Sequence, residues 1–491
     1  MRKLKLAAFT GILSLMALTV KAQQNHSLYL MHAIPESNLL NPAIPLSCKW
    51  YIGLPVLSSV HLNYKNSSFS FNNLFESSGG GAYQPNLDFI SNKLHWRNAI
   101  GTEIHLQLFA LGYKYKGYSF IFSATEKNNL MVTFPKQIVA LGFDGNGQFL
   151  GKTAGLKGTG IFFNHYREYA IGVSKETGNG TILGARAKLL FGKLNVSTKK
   201  ANLGLFTDKT TYNLEIDGQI LVNSSLPILV DAANNRLNSM AYNDVSPVAL
   251  ALNRKNPGFA IDLGIIYPWT EQITLSASAL DLGFIRWRSN LNSFNGSGNY
   301  VFTGPLGSST SSSYWNNLGN SFLDSIHFEV TPKKYFTFLP PRFMAAADYR
   351  YNPQLAAGLV GNLLVYKTKA MPSLSLVARY EPFRYLGFMA SYTWQNYSFN
   401  SVGAGFYIGR KPIQFYLVTD NLMAAFKPFD TRNINLRFGF NIIFGCSKKA
   451  EKEAVKKGGN SACFGYKDQH KKSYLKKFKP WKVKKYEGST Y

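Results

Sequence analysis

The residues that could do chemistry in this chain are few and poorly placed for it. Eight histidines are scattered over 491 residues, with no His-Glu-x-x-His pair for zinc and no Gly-x-Ser-x-Gly turn to present a nucleophile. His105 and His165 are expected on a polar inner wall, where a lone histidine is an ordinary wall residue. The sequence assigns no catalytic, cofactor-binding or metal-ligating set, and the chain reads as a non-enzyme. Binding chemistry is easier to find. Residues 448–491 carry 14 Lys against Glu451, Glu453, Asp468 and Glu487, interleaved with aromatic rings. Within them Lys476, Lys477, Phe478, Trp481, Lys484 and Lys485 could seat rings among lipid headgroups while the lysines meet phosphates, or dock on an acidic envelope protein. A solvated tail without contacts is the plain alternative. Nucleic acid, the usual partner of such charge, is excluded by where the chain is expected to go.

That destination is read from the N-terminus. Arg2, Lys3 and Lys5 precede an apolar run from Leu6 to Val20, and Ala22 offers a small-residue cleavage site. This is the pattern of a secretory signal peptide over residues 1–22. No later segment holds about 18 unbroken apolar residues, so membrane residence has to come from strands. The composition agrees: aromatics make up 14% and charged residues only 16%, with 28 Tyr and 36 Phe. Mean hydropathy is −0.11, as expected of strands with one wet face and one greasy face.

Residues 433–444 show that pattern most clearly. Ile434, Leu436, Phe438, Phe440, Ile442 and Phe444 alternate with Asn433, Asn435, Arg437, Gly439 and Asn441. Successive strand side chains point to opposite faces, so one face is apolar and the other polar. Similar segments recur from 49–64 to 432–445, about fourteen in all, and their connections alternate between short turns and often long loops. Arg186 and Lys188 share one face of their segment, opposite Leu183, Ala185, Ala187 and Leu189; Ile104, Leu106, Leu108 and Ala110 share another. The expected fold is an all-β transmembrane antiparallel barrel over 47–446. A plug segment at 23–46 precedes it, and a Lys-rich periplasmic tail at 447–491 follows. Residues 211–222 are read as part of a hairpin extending outside the membrane, and the loop 289–337 as opening Ser/Gly/Asn-rich. Closing such a barrel sets the first strand beside the last, so a disulfide between Cys48 and Cys446 is expected in the oxidising periplasm. Cys446–Cys463 pairing and three free thiols are the rival states.

Several phrases then occur in one order: Asn38-Leu-Leu-Asn-Pro-Ala43, Cys48-Lys-Trp-Tyr-Ile-Gly-Leu-Pro55, Glu168-Tyr-Ala-Ile-Gly-Val173, Asp281-Leu-Gly-Phe-Ile-Arg-Trp287 and Asn435-Leu-Arg-Phe-Gly-Phe440. Together they resemble the DUF5723 family of Bacteroidota outer-membrane proteins, whose barrels are similar to FadL-like transporters and to the PorV and PorP/SprF proteins. The resemblance implies that Asn41, Pro42 and Ala43 lie near the lumen as a plug motif. It implies two functions: passive transport of a small hydrophobic or amphiphilic ligand, or a non-enzymatic accessory barrel of a type IX-like secretion or assembly machine.

Overall fold

The computed structural model describes residues 26–445, apart from 80–81, 144, 228–229, 232–235, 238–245, 303–326, 367–368, 384, 396–397 and 411. The signal-peptide reading, Cys446, Cys463 and the tail residues Lys476 to Lys485 fall outside the described residues.

Within them the chain builds a closed barrel of fourteen antiparallel staves. The staves are β1 (Trp50–Gly53, resumed at Val60–Asn66), β2 (Arg97–Tyr115), β3 (Tyr118–Pro135), β4 (Gly160–Glu176) and β5 (Ile182–Thr207). Then come β6 (Asn256–Pro268), β7 (Ile273–Trp287), β8 (Arg342–Arg350), β9 (Leu355–Tyr366) and β10 (Lys369–Phe383). β11 (Leu386–Gln395), β12 (Ser398–Arg410), β13 (Ile413–Thr419) and β14 (Asn433–Phe444) complete the ring. Each pairs with its chain neighbours, and β14 closes on both pieces of β1, with Trp50 opposite Phe444 and Val60 opposite Phe438.

Alternation sets what faces where. Asn433, Asn435, Arg437 and Asn441 of β14 are buried, while Ile434 is exposed on the outer face. Arg186 and Lys188 likewise point inward, opposite exposed Leu183 and Leu189. At the short-turn end the outer wall carries Tyr115, Tyr267, Trp269, Tyr349, Tyr380 and Phe383, all exposed. Such a ring of aromatics suits a headgroup layer. Lys175 lies 4.7 Å from the Tyr118 ring centroid there. No helix among the described residues is long and apolar enough to cross a membrane; the crossing elements are strands.

Three local expectations are corrected. Span 49–64 is not one continuous strand: residues 54–59 leave the ladder around Pro55, which has no amide hydrogen to donate, and Val56 takes φ +64°. The excursion is accommodated because Gly439 has no side chain where the Ser58 carbonyl lies. In β2 the register shifts between Gln107 and Phe109. That bulge turns Ala110 inward and buried, off the face of exposed Ile104. The Ser/Gly/Asn-rich opening of 289–337 is strand: Leu291–Phe302 pairs with Leu214–Ser225, which pairs with the upper half of β5. His327–Thr331 adds a further strand beside it. The segment 211–222 therefore does extend the barrel as part of a hairpin on β5, and contributes no stave.

Candidate functional site

Residues 26–46 lie against the inward-facing side chains of the barrel. One helical turn, His26–Tyr29, opens the segment, Pro35 with its fixed φ starts a short 3-10 turn over Pro35–Leu39, and the remaining residues are irregular. Irregular backbone leaves carbonyls without regular partners, and buried carbonyls need them. The wall supplies the donors. Arg379 donates to the Leu30 carbonyl (2.6 Å), Gln414 Nε2 to Ala33 (3.0 Å), Arg186 to Asn38 (2.6 Å), Ser278 Oγ to Leu40 (2.7 Å) and Lys114 Nζ to Leu46 (3.1 Å). In the other direction the Ser27 amide donates to Asp420 Oδ1 at 2.9 Å. Leu28, Tyr29, Leu30 and Ile34 pack with Met344, Val360, Val377 and Tyr416 in the largest buried apolar cluster.

The sequence motif sits in a notch made by two glycines. Asn41 Oδ1 accepts from the Ala43 amide at 2.9 Å, an Asx turn that Pro42 stiffens. Its Nδ2 donates to Tyr29 Oη at 3.0 Å and to the Ile265 and Ala277 carbonyls of β6 and β7 at 3.4 and 3.3 Å. Gly184 of β5 faces Gly264 of β6 in register. A Cβ on Gly184 would overlap the Pro42 carbonyl and the Ala43 nitrogen, and one on Gly264 would overlap Asn41 Oδ1. Asn41, Pro42 and Ala43 are thus brought together against the wall.

Glu36 is fully enclosed, accepting from Tyr51 Oη and from Asn441 Nδ2 at 2.8 Å each. Burial pushes its carboxyl up to about 7, against the pull of those two donors and of Arg437. His32 goes the other way: burial, with the Arg379 charge nearby, pushes its imidazole down to about 4.

Beside the segment lies a cluster of buried charges that parity alone placed on the inner wall. Lys188 pairs with Asp281 (2.6 Å) and Asp262 (2.8 Å), Arg186 with Asp262 (3.0 Å), and Lys127 with Glu168 (2.7 Å). Across the lumen Arg379 pairs with Asp348 at 2.5 Å. Leu39, Leu40, His105, Arg342 and Arg437 join the first cluster around a cavity of about 60 Å³. His105 therefore faces the lumen. His165 does not: it lies on the face opposite buried Tyr166 and Glu168, bonded to Glu126 at 2.6 Å, with Arg167 on the same carboxylate. Among the described residues no three His, Cys, Asp or Glu side chains converge as metal ligands. Sequence reasoning missed Glu36, Asp262, Asp281 and Arg379; their signal was a charge on the inward parity of an otherwise apolar strand or buried segment.

Cys48 is disulfide-bonded, and both other cysteines lie outside the described residues. Gly445 takes φ +75° and leaves room for Lys49, since a Cβ there would come 2.6 Å from Lys49 Cβ. The β1–β14 ladder pairs Trp50, two residues after Cys48, with Phe444. Peptide mapping without reductant is expected to find Cys48 joined to Cys446; a Cys48–Cys463 peptide would refute this.

A closed antiparallel barrel with an aromatic, apolar outer wall and a polar, filled interior is an outer-membrane β-barrel. The chain belongs to the family described as "Family of unknown function (DUF5723)", whose model matches residues 42–420. Similar solved structures include the toluene transporter TbuX of Ralstonia pickettii, at 10% identity over 84% of this chain and 94% of that one, TM-score 0.39. The toluene transporter TodX of Pseudomonas putida matches at 9% over 86% and 98%, TM-score 0.36. A Pseudomonas aeruginosa FadL homologue matches at 10% over 87% and 100%, TM-score 0.40. No curated protein matches the chain.

Proposed function

We propose that this barrel carries small hydrophobic or amphiphilic molecules across the outer membrane, with residues 23–46 as a displaceable plug. The observation that carries the reading is how 26–46 is held. Wall side chains bond to its main chain, and it adds no strand to the barrel, so it can leave without breaking a stave. Passage needs such a movement. The cavity beside the segment, about 60 Å³, is well below the roughly 150 Å³ that accommodates benzene in an engineered protein cavity. The ligand class is supported at the long-loop end, where Leu74, Ile90 and Ala140 form a cluster with Phe69, Phe75, Phe89 and Phe149. On the same side the Phe71 and Phe429 rings lie 5.3 Å apart in a tilted pair, and both are exposed. An exposed aromatic pair beside a buried apolar cluster suits a first contact with an apolar ligand.

The second reading, an accessory barrel of an envelope secretion or assembly machine, draws on the strand extension at 195–225, 291–302 and 327–331. Single-channel recording in planar bilayers, with and without residues 23–46, separates the two. Transport predicts a closed full-length protein and an open deletion; two closed forms would remove its basis and direct attention to partners of the extension and the tail.

A further inference from the structure

One cation in the lumen is out of place. Arg437 of β14 is 5% exposed, and no carboxylate of the described residues lies within ion-pair distance of it. Its one side-chain hydrogen bond runs to Ser59 Oγ at 3.3 Å, and its Nε has no partner. Glu36 and Asp420 feel its charge from farther off, but each is committed elsewhere, Glu36 to Tyr51 and Asn441 and Asp420 to Ser27. The other cations that line this space are paired: Lys127, Arg186 and Lys188 each have a carboxylate at 3.0 Å or less, and Arg342 has Glu103 at 3.5 Å. A guanidinium held out of water without a counter-charge is costly, and one that faces a cavity invites an anion into it.

Arg437 faces such a cavity, the space of about 60 Å³ it shares with Arg342, Lys127, His105, Gln107 and Ser59. We propose that this cavity binds one small monovalent inorganic anion of the chloride class, held by Arg437 and the neutral donors around it. Size and charge narrow the choice. The volume admits a halide with a water or two, and Glu168 and Asp281, which also line it, disfavour a multiply charged oxyanion. Leu39 and Leu40 of the N-terminal segment form the apolar side of the cavity, so the anion sits between the segment and the barrel wall. The site does not depend on what the barrel transports.

Bromide is the probe. Crystals of the full refolded chain grown in sodium bromide are expected to show an anomalous peak within hydrogen-bond reach of the Arg437 guanidinium. In detergent, replacing sodium gluconate, too bulky for the cavity, by sodium chloride at constant ionic strength is expected to raise the unfolding midpoint. Arg437→Lys should keep part of that rise, and Arg437→Leu should abolish it while still folding as a heat-modifiable barrel. A bromide map with no peak at Arg437 overturns the proposal, as does a chloride response that Arg437→Leu leaves unchanged. If Arg437→Leu does not fold, the bromide map on the wild-type chain decides alone.

Discussion

In Gly184→Val, the N-terminal segment is expected to leave the lumen and the barrel to conduct ions, as is expected of the 23–46 deletion. Position 184 points inward between buried Ile182 and Arg186, and any side chain there meets the main chain of Pro42 and Ala43. Overpacking a core that can relax costs about 1–3 kcal/mol. Here neither side can relax, because one is a paired strand and the other an Asx turn closed by proline. Moving the turn aside also breaks the Asn41 bonds to Tyr29, Ile265 and Ala277, each worth about 1 kcal/mol net. The stave itself should survive, since valine favours strands over glycine. Leu183→Val, on the outer face of the same strand, is the control and should remain closed. A closed Gly184→Val channel would mean that 26–46 does not seal the barrel.

Glu36→Gln is expected to change how docking of the segment responds to pH. The Glu36 carboxyl sits at about 7 in the docked state and near 4.5 once released into water. A group raised in the docked state favours docking when protonated. Its contribution is complete below about 4.5, falls as pH rises, and is gone above about 7. The span amounts to roughly 3 kcal/mol. Glutamine stays neutral throughout, so the variant should keep what the wild type loses. Amide hydrogen exchange of the 26–46 peptides reads this as protection of the variant over wild type at one pH. The ratio should be near one at pH 4 and on the order of a hundredfold at pH 8. His32, lowered to about 4, acts in the opposite sense: its docking contribution is lost as pH falls from about 6.5 to about 4. It does so in both proteins and cancels in the ratio. A ratio that does not move with pH would show that Glu36 is not the titrating group.

Much of the architecture was legible because period-2 alternation reports directly on a wall that is wet on one side and apolar on the other. That is why the β14 pattern and the inward pair Arg186 and Lys188 read correctly, and why the fourteen spans correspond to the fourteen staves. Errors arose where one residue shifts the phase. The bulge at Leu108 reverses Ala110, and Pro55 interrupts a span that its apolar neighbours make look continuous. Leu291–Phe302 was unreadable for a different reason. Gly296 and Gly298 break its pattern, and its strand form depends on pairing with Leu214–Ser225, a contact that no local window contains. The site was legible only as a motif. Asn41-Pro42-Ala43 stood out, but the glycines that receive it lie on two other strands, and Glu36 and Tyr51 meet Asn441 from the far end of the chain.

The seam between β1 and β14 has a consequence for how the chain folds. All other stave pairings join strands adjacent in sequence and can form as hairpins or their extensions. The seam joins residues close to 400 positions apart, and the excursion at 54–59 leaves it two short patches of four and six register pairs. Closing so long a loop costs about 3 kcal/mol more entropy than closing a ten-residue hairpin. The last ladder is therefore the slowest to form. Until it does, β1 and β14 are open edges able to pair with any other strand. A chain that lingers there aggregates, so the yield of native barrel is set at the seam.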